Sequence, residues 1–337
     1  MKKFLIKFSI LFAIIDGFLL WYALSVYPNI SGDMGALYKF PFGKAYNDSI
    51  KQAHRLERRY VFNVRHLDSI PQGSIITIGD SFSQQDSLGY QQYLGNLLNQ
   101  KIYNVRFKDN RNPEQNFIRL LNQDVFDSAQ VVVIESVERS FVGHLNDLNF
   151  QDDIDIDLYD KPSQGQGKSH VDYAQEAMQK LRLMLGYKKP ILQYDLTQPL
   201  FSHPKYKTKI FIYHSPSIGD SDLLFTNDSN EIMQAYENLE KLHLFAVEHD
   251  IKMIYMVVPD KYDVYYPYIE NAPRYNITLD ICPAEAYIIN PRQELRRAID
   301  GGEKDVWYLN DTHWSPVGAK IVAELIKERL INMSLIQ

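Results

Sequence analysis

The sequence has almost no cysteine and no large excess of either charge. Cys282 is the single cysteine among 337 residues, which excludes an internal disulfide framework and any metal site built from several cysteines. The chain has 36 Lys and Arg against 42 Asp and Glu, so its formal charge of -6 gives no electrostatic reason to expect nucleic acid. None of the nine histidines lies in an HExxH or similar ligand spacing. Neither a catalytic metal nor another cofactor is therefore predicted.

The longest apolar run of the chain is residues 8–27, which three lysines precede. A helix of this length spans roughly 30 Å, the thickness of a bilayer core. The run predicts a signal anchor or transmembrane helix over residues 1–28, with the rest of the chain in the periplasm or outside the cell. A cleaved signal peptide is the alternative, and Ala23-Leu24-Ser25 is its candidate cleavage site. Asp16, in the middle of the run, either faces a membrane partner or is tolerated in a single span.

Residues 73–333 show the pattern of one α/β domain. Short apolar, β-rich runs alternate there with helix-length segments, which predicts a parallel sheet covered by helices on both faces. The predicted strands are SIITIG (74–79), KIYNVRF (101–107), QVVVIESV (130–137) and IKMIYMVVP (251–259). Residues 29–72 have no sustained period and are interpreted as a stalk and lead-in. Residues 150–229 break the rhythm and are interpreted as an insertion with one helix around 171–186 and some short strands.

Ser81 follows the first predicted strand within the stretch GDSFS (79–83). In an open parallel sheet, ligands bind outside the carboxyl ends of the strands, which is where Ser81 falls. A helix starting there would offer backbone N–H groups and a macrodipole that stabilise an oxyanion. The glycine at 79 allows a turn that a side chain would forbid. The alternative interpretation is an ordinary helix N-cap.

Asp311 and His313 lie near the other end of the chain, in the stretch YLNDTHWSPVGAK (308–320). A predicted last strand, DVWYLN (305–310), brings them to the same carboxyl edge, and Ser315-Pro316 is a well-specified start for the following helix. Residues two apart on extended backbone point the same way, so the carboxylate can orient the imidazole. Together with Ser81 they have the roles of a serine hydrolase: nucleophile, base and orienting acid. Taken alone, the pair would be a turn residue and a hydrogen-bonded loop histidine.

GDSFS and the C-terminal Asp-His pair resemble the motifs of the SGNH/GDSL hydrolase superfamily. Most of that superfamily has Asp-x-x-His, whereas this chain has Asp-x-His followed by Trp314. DTHW (311–314), with VVVIESVERS (131–140) and MVVPDKYDVYY (256–266), is similar to the SGNH-like domains of the alginate O-acetyltransferase (AlgJ/AlgX-type) group. The resemblance covers about residues 73–140 and 230–333. It implies a three-layer, flavodoxin-like fold.

The resemblance also implies a function. Proteins of this group are bacterial and act outside the cytoplasmic membrane, commonly beside a membrane-bound O-acyltransferase that supplies acyl groups. We therefore expect an O-acetyltransferase that carries an acetyl ester on Ser81 and passes it to a hydroxyl of an exported polysaccharide or cell-wall glycan. A carbohydrate esterase with the same triad is one alternative, since the first half-reaction is shared. A scaffold without catalytic activity in a polysaccharide-modification complex is another.

Several further site residues are candidates on the same resemblance. Ordinary SGNH enzymes take oxyanion donors from a glycine after the second strand and an asparagine after the third, and neither pattern is intact here. Besides the Ser81 backbone N–H, Asn110 and Asn112 are the candidate donors. The other oxyanion or substrate candidates are Glu135, Arg139, Lys261 and Trp314. Glu135, Arg139 and Lys261 match the family pattern and form either a charged network near the site or a buried structural ion pair.

Overall fold

Strands and helices alternate along the chain. The computed structural model describes residues 2–26, 43–108, 112–123, 125–126, 131–159, 191–215, 220–221, 228–272 and 278–336. The strands are β1 (Val61–Val64), β2 (Ile75–Gly79), β3 (Ile102–Val105), β4 (Val131–Val137), β5 (Ile191–Asp195), β6 (Lys209–Ser215), β7 (Asp220–Ser221), β8 (Lys252–Val258) and β9 (Ile288–Ile289). The helices are α1 (Lys2–Val26), α2 (Gly43–Ala53), α3 (Tyr90–Leu98), α4 (Pro113–Asn122), α5 (Glu138–Asn146), α6 (Ser229–Glu248), α7 (Lys261–Tyr265), α8 (Arg292–Asp300) and α9 (Pro316–Asn332).

The central sheet has six strands in the order β1-β3-β2-β4-β8-β9, and every neighbouring pair is parallel. All four strands predicted from the sequence lie in its middle, which confirms the α/β class. From β3 to β9 the order is 2-1-3-4-5 in chain sequence, the order of doubly wound sheets. The order reverses between β2 and β4. A crevice opens at such a switch point, at the carboxyl ends of the strands.

Helices cover both faces of this sheet, so the domain has three layers. Alternate residues of each central strand point to opposite faces: Ile75 and Val133 contact one apolar core, and Ile76 and Val132 contact the other. Helices α3, α8 and α9 pack on the first core, and α4, α5 and α6 pack on the second. Burial on both faces explains why apolar residues predominate in the strands without strict alternation.

The helix start predicted at Ser315-Pro316 is confirmed. The Ser315 hydroxyl accepts the backbone N–H of Val317 at 3.0 Å, and Pro316 occupies the first turn of α9. At the start of α6, Asp228 forms a capping box with Glu231.

The ordered domain begins earlier than the sequence pattern indicates. Residues 29–72 were expected to be a stalk and lead-in, yet α2 packs Tyr46 and Ile50 against the core, and β1 extends the main sheet beyond β3. Short elements of this kind show no repeated period, because a four-residue strand has only two inward positions. Residues 27–42 lie outside the described part.

Helix α1 contains most of the apolar run predicted to cross the membrane. Its large apolar side chains are exposed, for example Phe4, Phe12 and Phe18. Over the residues that the structure describes, no helix combines the length and apolar character that a membrane crossing requires. The predicted transmembrane helix is thus present as a helix but not found as a span.

The insertion at 150–229 contains the predicted short strands. Strands β5, β6 and β7 form a separate antiparallel sheet of three strands in that order. The predicted helix around 171–186 lies outside the described residues.

The strand predicted over residues 305–310 is wrong. Residues 306–315 fold back on themselves: Ser315 N–H donates to the Val306 carbonyl at 3.0 Å, and Trp307 pairs with Trp314 in an isolated bridge. The last strand of the sheet is instead β9, which pairs with β8. The apolar residues of DVWYLN are buried because they fill a loop under α9, and not because they extend a sheet.

Candidate active site

Ser81 lies directly after β2, beside the point where the strand order reverses. The turn is held by Asp80, whose carboxylate accepts the backbone N–H of Phe82 at 3.1 Å and that of Val137, at the end of β4, at 3.0 Å. Ser81 itself is exposed, whereas Phe82 and Ser83 are buried. The serine is therefore open to solvent where ligands bind in sheets of this kind.

The segment after Ser81 is not the α-helix that the sequence indicated. Residues Ser81–Gln84 form a single 3₁₀ turn, Asp86–Leu88 form a second one, and α3 begins only at Tyr90. The predicted macrodipole at Ser81 is consequently wrong, since four residues align too few peptide groups. The backbone N–H of Ser81 remains the candidate oxyanion donor.

Gly79 is required by close packing. A Cβ at this position would lie 2.3 Å from Ser83 Oγ, 2.4 Å from Glu135 Oε2 and 2.8 Å from Glu135 Cβ. The backbone conformation is not the reason, because φ at Gly79 is not in the left-handed region. The glycine of GDSFS lets a buried carboxyl group reach the turn that carries Ser81.

Glu135 lies beneath the serine turn and is fully buried. Its Oε2 accepts the backbone N–H of Ser83 at 3.1 Å and the Ser83 hydroxyl at 2.9 Å, and the same hydroxyl lies 3.1 Å from the Tyr90 hydroxyl. Burial raises the pKa of Glu135 well above its usual range, and the charge of Asp80 and a hydrogen bond with it raise the pKa further. These effects favour the neutral form of the Glu135 carboxyl group.

Asp311 and His313 are in direct contact. Asp311 Oδ1 lies 2.6 Å from His313 Nδ1 and also accepts the His313 backbone N–H at 3.0 Å. The two residues lie in a turn, so the extended backbone assumed from the sequence is wrong although the expected contact is present. A carboxylate that accepts the N–H two residues later is an Asx turn. Nδ1 is occupied by Asp311, which leaves Nε2 as the nitrogen for a reacting proton.

Aromatic contacts join the loop of Ser81 to the loop of His313. The ring centroid of Phe82, the residue after Ser81, lies 4.7 Å from that of His313 and 4.7 Å from that of Trp314. Trp314 is fully buried and also contacts Trp307. It is thus a packing residue behind the histidine, whereas the sequence suggested a contact with oxyanion or substrate.

Gln85 links the same two loops by hydrogen bonds, and sequence reasoning missed it. Its Nε2 donates to the Trp314 carbonyl at 3.0 Å, and its Oε1 accepts the Trp314 indole N–H at 2.9 Å. A glutamine in a turn has no distinctive sequence pattern, so only the spatial contact reveals its role.

Lys261 and Arg139 lie below the histidine loop. The buried Lys261 ammonium donates to the carbonyls of Tyr308 at 2.8 Å, Leu309 at 3.0 Å and Asp311 at 3.3 Å. Arg139 forms an ion pair with Asp260, the residue before Lys261. Lys261 therefore supports the backbone that carries Asp311.

The asparagine candidates differ in what the structure shows. Asn110 lies outside the described residues. Asn112 is the N-cap of α4: its Oδ1 accepts the Gln115 backbone N–H at 2.8 Å, and its Nδ2 donates to the His144 carbonyl at 3.1 Å. Because its amide is used in this way, Asn112 is a structural cap, and the proposal that it serves as an oxyanion donor has no geometric support.

Comparison with protein-family models, with curated proteins and with solved structures finds no match to this chain. The site must therefore be interpreted from its own geometry. Within the described part of the chain, no cluster of three or more His, Cys, Asp or Glu side chains could hold a metal ion. The exposed hydroxyl of Ser81, an imidazole on the neighbouring loop and a carboxylate on that imidazole are the groups that nucleophilic acyl transfer needs.

Proposed function

We propose that the protein is an SGNH-type serine O-acyltransferase that moves an acetyl group through Ser81 to a hydroxyl of an exported polysaccharide or cell-wall glycan. The observation that carries the proposal is the Asp311–His313 contact at 2.6 Å, on a loop that packs against the residue following Ser81. The class of acceptor, a glycan hydroxyl, is proposed from the resemblance of GDSF and DTHW to O-acetyltransferase domains. The three-layer fold, which places Ser81 at the switch point of the sheet, also supports the proposal.

In the first half-reaction, His313 Nε2 takes the Ser81 hydroxyl proton while Ser81 Oγ attacks the carbonyl carbon of an acetyl ester. The oxyanion of the tetrahedral intermediate accepts the Ser81 backbone N–H. His313 then returns its proton to the leaving alcohol oxygen as the ester C–O bond breaks, and acetyl-Ser81 remains. Asp311 stabilises the imidazolium throughout.

The second half-reaction repeats these steps with a sugar hydroxyl. His313 removes its proton, the sugar oxygen attacks the acetyl carbonyl, and the proton passes back to Ser81 Oγ as it leaves. Neither half-reaction as written requires an oxidant, a metal or a cofactor. The donor ester is proposed to come from a membrane-bound O-acyltransferase partner.

We also propose that the catalytic domain lies on the periplasmic or extracellular side of the inner, cytoplasmic membrane, held there by α1. The exposed apolar side chains of α1 and the lysines before them support this proposal. Fractionation of cells tests it, and full-length protein recovered entirely in the cytosol would contradict it.

A carbohydrate esterase is the second candidate, and one observation favours it. Ser81 is exposed, so water has access to an acetyl-Ser81 unless the bound acceptor excludes it. The two functions differ only in the acceptor of the second step.

Intact-mass spectrometry of the purified full-length chain with p-nitrophenyl acetate tests the shared first step. We expect the mass of one acetyl group to appear on Ser81, and to be lost in Ser81→Ala but not in Ser87→Ala, an exposed serine nearby. Absence of both acetylation and p-nitrophenol release with the wild-type protein would favour a scaffold role. Adding an oligosaccharide separates the remaining candidates: acetylated sugar indicates the transferase, whereas free acetate alone indicates the esterase.

A further inference from the structure

Gln85 holds the histidine loop against the serine turn with both ends of its amide. The two hydrogen bonds, of 3.0 Å and 2.9 Å, go to the carbonyl and the indole N–H of one residue, Trp314. The Gln85 amide donates to Trp314 and also accepts from it, so Gln85 fixes both the backbone position and the ring orientation of Trp314. A single hydrogen bond would fix only the backbone position or only the ring orientation.

The residue on which Gln85 acts directly follows His313. Trp314 is fully buried, and its ring packs edge-on against Phe82 at 4.7 Å and against Tyr90 at 6.3 Å. Large rings packed at close distances have little freedom to move. Displacement of Trp314 would therefore move the adjacent backbone of His313.

The turn that carries Gln85 is connected to the main sheet through the next residue. The next residue, Asp86, has φ of 50°, in the left-handed region that few side chains adopt. Its carboxylate accepts from Asn63 Nδ2 at 3.0 Å and from Arg106 Nη2 at 3.0 Å, which ties the turn to β1 and to the end of β3. Gln85 therefore lies on a turn that has its own contacts with the edge of the main sheet.

The contacts within the histidine loop cannot do this. Asp311 and His313 are two residues apart, so their hydrogen bonds set the orientation of the imidazole but not its distance from Ser81. We propose that Gln85 is a positioning residue that sets the separation between Ser81 and His313. The inference rests on the proposed function, since it assigns a role within the same site.

The test compares Gln85→Met, which keeps the length of the side chain and removes both hydrogen bonds, with Gln84→Met, the same change at an exposed neighbour. A misplacement of about 1 Å can cost roughly 100-fold in rate, so we expect acetylation of Ser81 to slow by about 10- to 100-fold in Gln85→Met. The loss should appear in kcat, because Gln85 contacts the loop and not the substrate. Gln84→Met should match the wild type.

Nuclear magnetic resonance of the histidines gives a readout that needs no turnover. The downfield proton resonance of His313 Nδ1 should persist in Gln85→Met, because Asp311 lies in the same loop. Replacing Ser81 by Ala should shift the Nε2 resonance in the wild-type background and leave it nearly unchanged in the Gln85→Met background. The latter result would show that Ser81 and His313 have separated.

Three outcomes overturn the inference, and a fourth separates it from the proposed function. An unchanged acetylation rate in Gln85→Met overturns the inference, as does an equal Nε2 shift in both backgrounds. Loss of the Nδ1 resonance in Gln85→Met also overturns it, because Gln85 would then support the pair itself. If wild-type protein is not acetylated but the Nε2 shift depends on Gln85, the proposed function fails and the positioning role stands.

Discussion

Asp311 Oδ1 binds His313 twice, through Nδ1 at 2.6 Å and through the backbone N–H at 3.0 Å. The two-residue spacing makes this possible, because the side chain of an Asx turn reaches the N–H of the second residue after it. The orienting carboxylate and the imidazole therefore form one local unit. The packing of the neighbouring loops sets the position of this unit relative to Ser81.

Replacing Asp311 by Asn should abolish most of the activity and leave the fold intact. The amide can still accept the backbone N–H, but it no longer selects the tautomer with the proton on Nδ1 or stabilises the imidazolium. We expect acetylation of Ser81 to slow by about 10³- to 10⁴-fold, with an unchanged melting temperature. Asp153→Asn, at an exposed carboxylate, is the control. A loss of less than about tenfold would mean that Asp311 does not orient the base.

Gly79→Ala should destabilise the protein. The added methyl would lie 2.3 Å from Ser83 Oγ and 2.4 Å from Glu135 Oε2, so the serine turn or the buried carboxyl group has to move. We expect the free energy of unfolding to fall by about 1–3 kcal/mol in urea denaturation. The matched control is Gly143→Ala within α5, where nothing lies within 4 Å of the added methyl. That change should stabilise by about 0.5–1 kcal/mol, and equal effects at the two positions would contradict the packing role of Gly79.

Glu135→Gln should preserve the fold and change its pH dependence. Folding raises the pKa of Glu135 well above its ordinary value of 4.5, so the native protein keeps this proton to a higher pH than the unfolded chain does. Above pH 4.5 the native protein binds more protons at Glu135 than the unfolded chain does. The free energy of unfolding therefore falls as the pH rises, by up to about 1.4 kcal/mol per pH unit. Glutamine has the shape of the neutral acid and does not titrate.

The stability difference between Glu135→Gln and wild type should therefore grow in favour of the variant as the pH of urea titrations rises above 4.5. Glu135→Leu is the contrasting variant: it removes the carboxyl oxygen that accepts from the Ser83 N–H and hydroxyl, and should be less stable than Glu135→Gln by about 1–3 kcal/mol. A difference between Gln and wild type that does not vary with pH would show that Glu135 is ionised in the fold.

Lys261→Met should loosen the loop that carries Asp311. The ammonium donates to three backbone carbonyls, and a methionine of similar size leaves those buried acceptors without donors. We expect the free energy of unfolding to fall by about 3 kcal/mol, and acetylation of Ser81 to slow with it. Lys252→Met, at an exposed position on β8, should change the stability by less than about 0.5 kcal/mol. Equal stability of the two variants would exclude a supporting role for Lys261.

The elements that the sequence predicts well are those whose signals are local. The runs at 75–79 and 131–137 are mostly apolar and are buried at every position, because strands in the middle of a parallel sheet are covered on both faces. Ser315 and Pro316 mark the start of α9 through cap chemistry that involves only a few neighbouring residues. The elements that it misses depend on packing: a buried run such as 305–310 can fill a loop as well as a sheet, and β1 is too short to show a period.

By itself, the sequence determined the α/β class, the position of Ser81 after a central strand and the pairing of Asp311 with His313, because each follows from strand patterning or from residues two apart. Only the tertiary structure decided what holds these groups together. Gln85 and Trp314 are far apart in the chain, and Glu135 lies under Ser83 only because β2 and β4 are neighbours. Contacts of this kind are properties of strand order and loop packing, which no local pattern encodes.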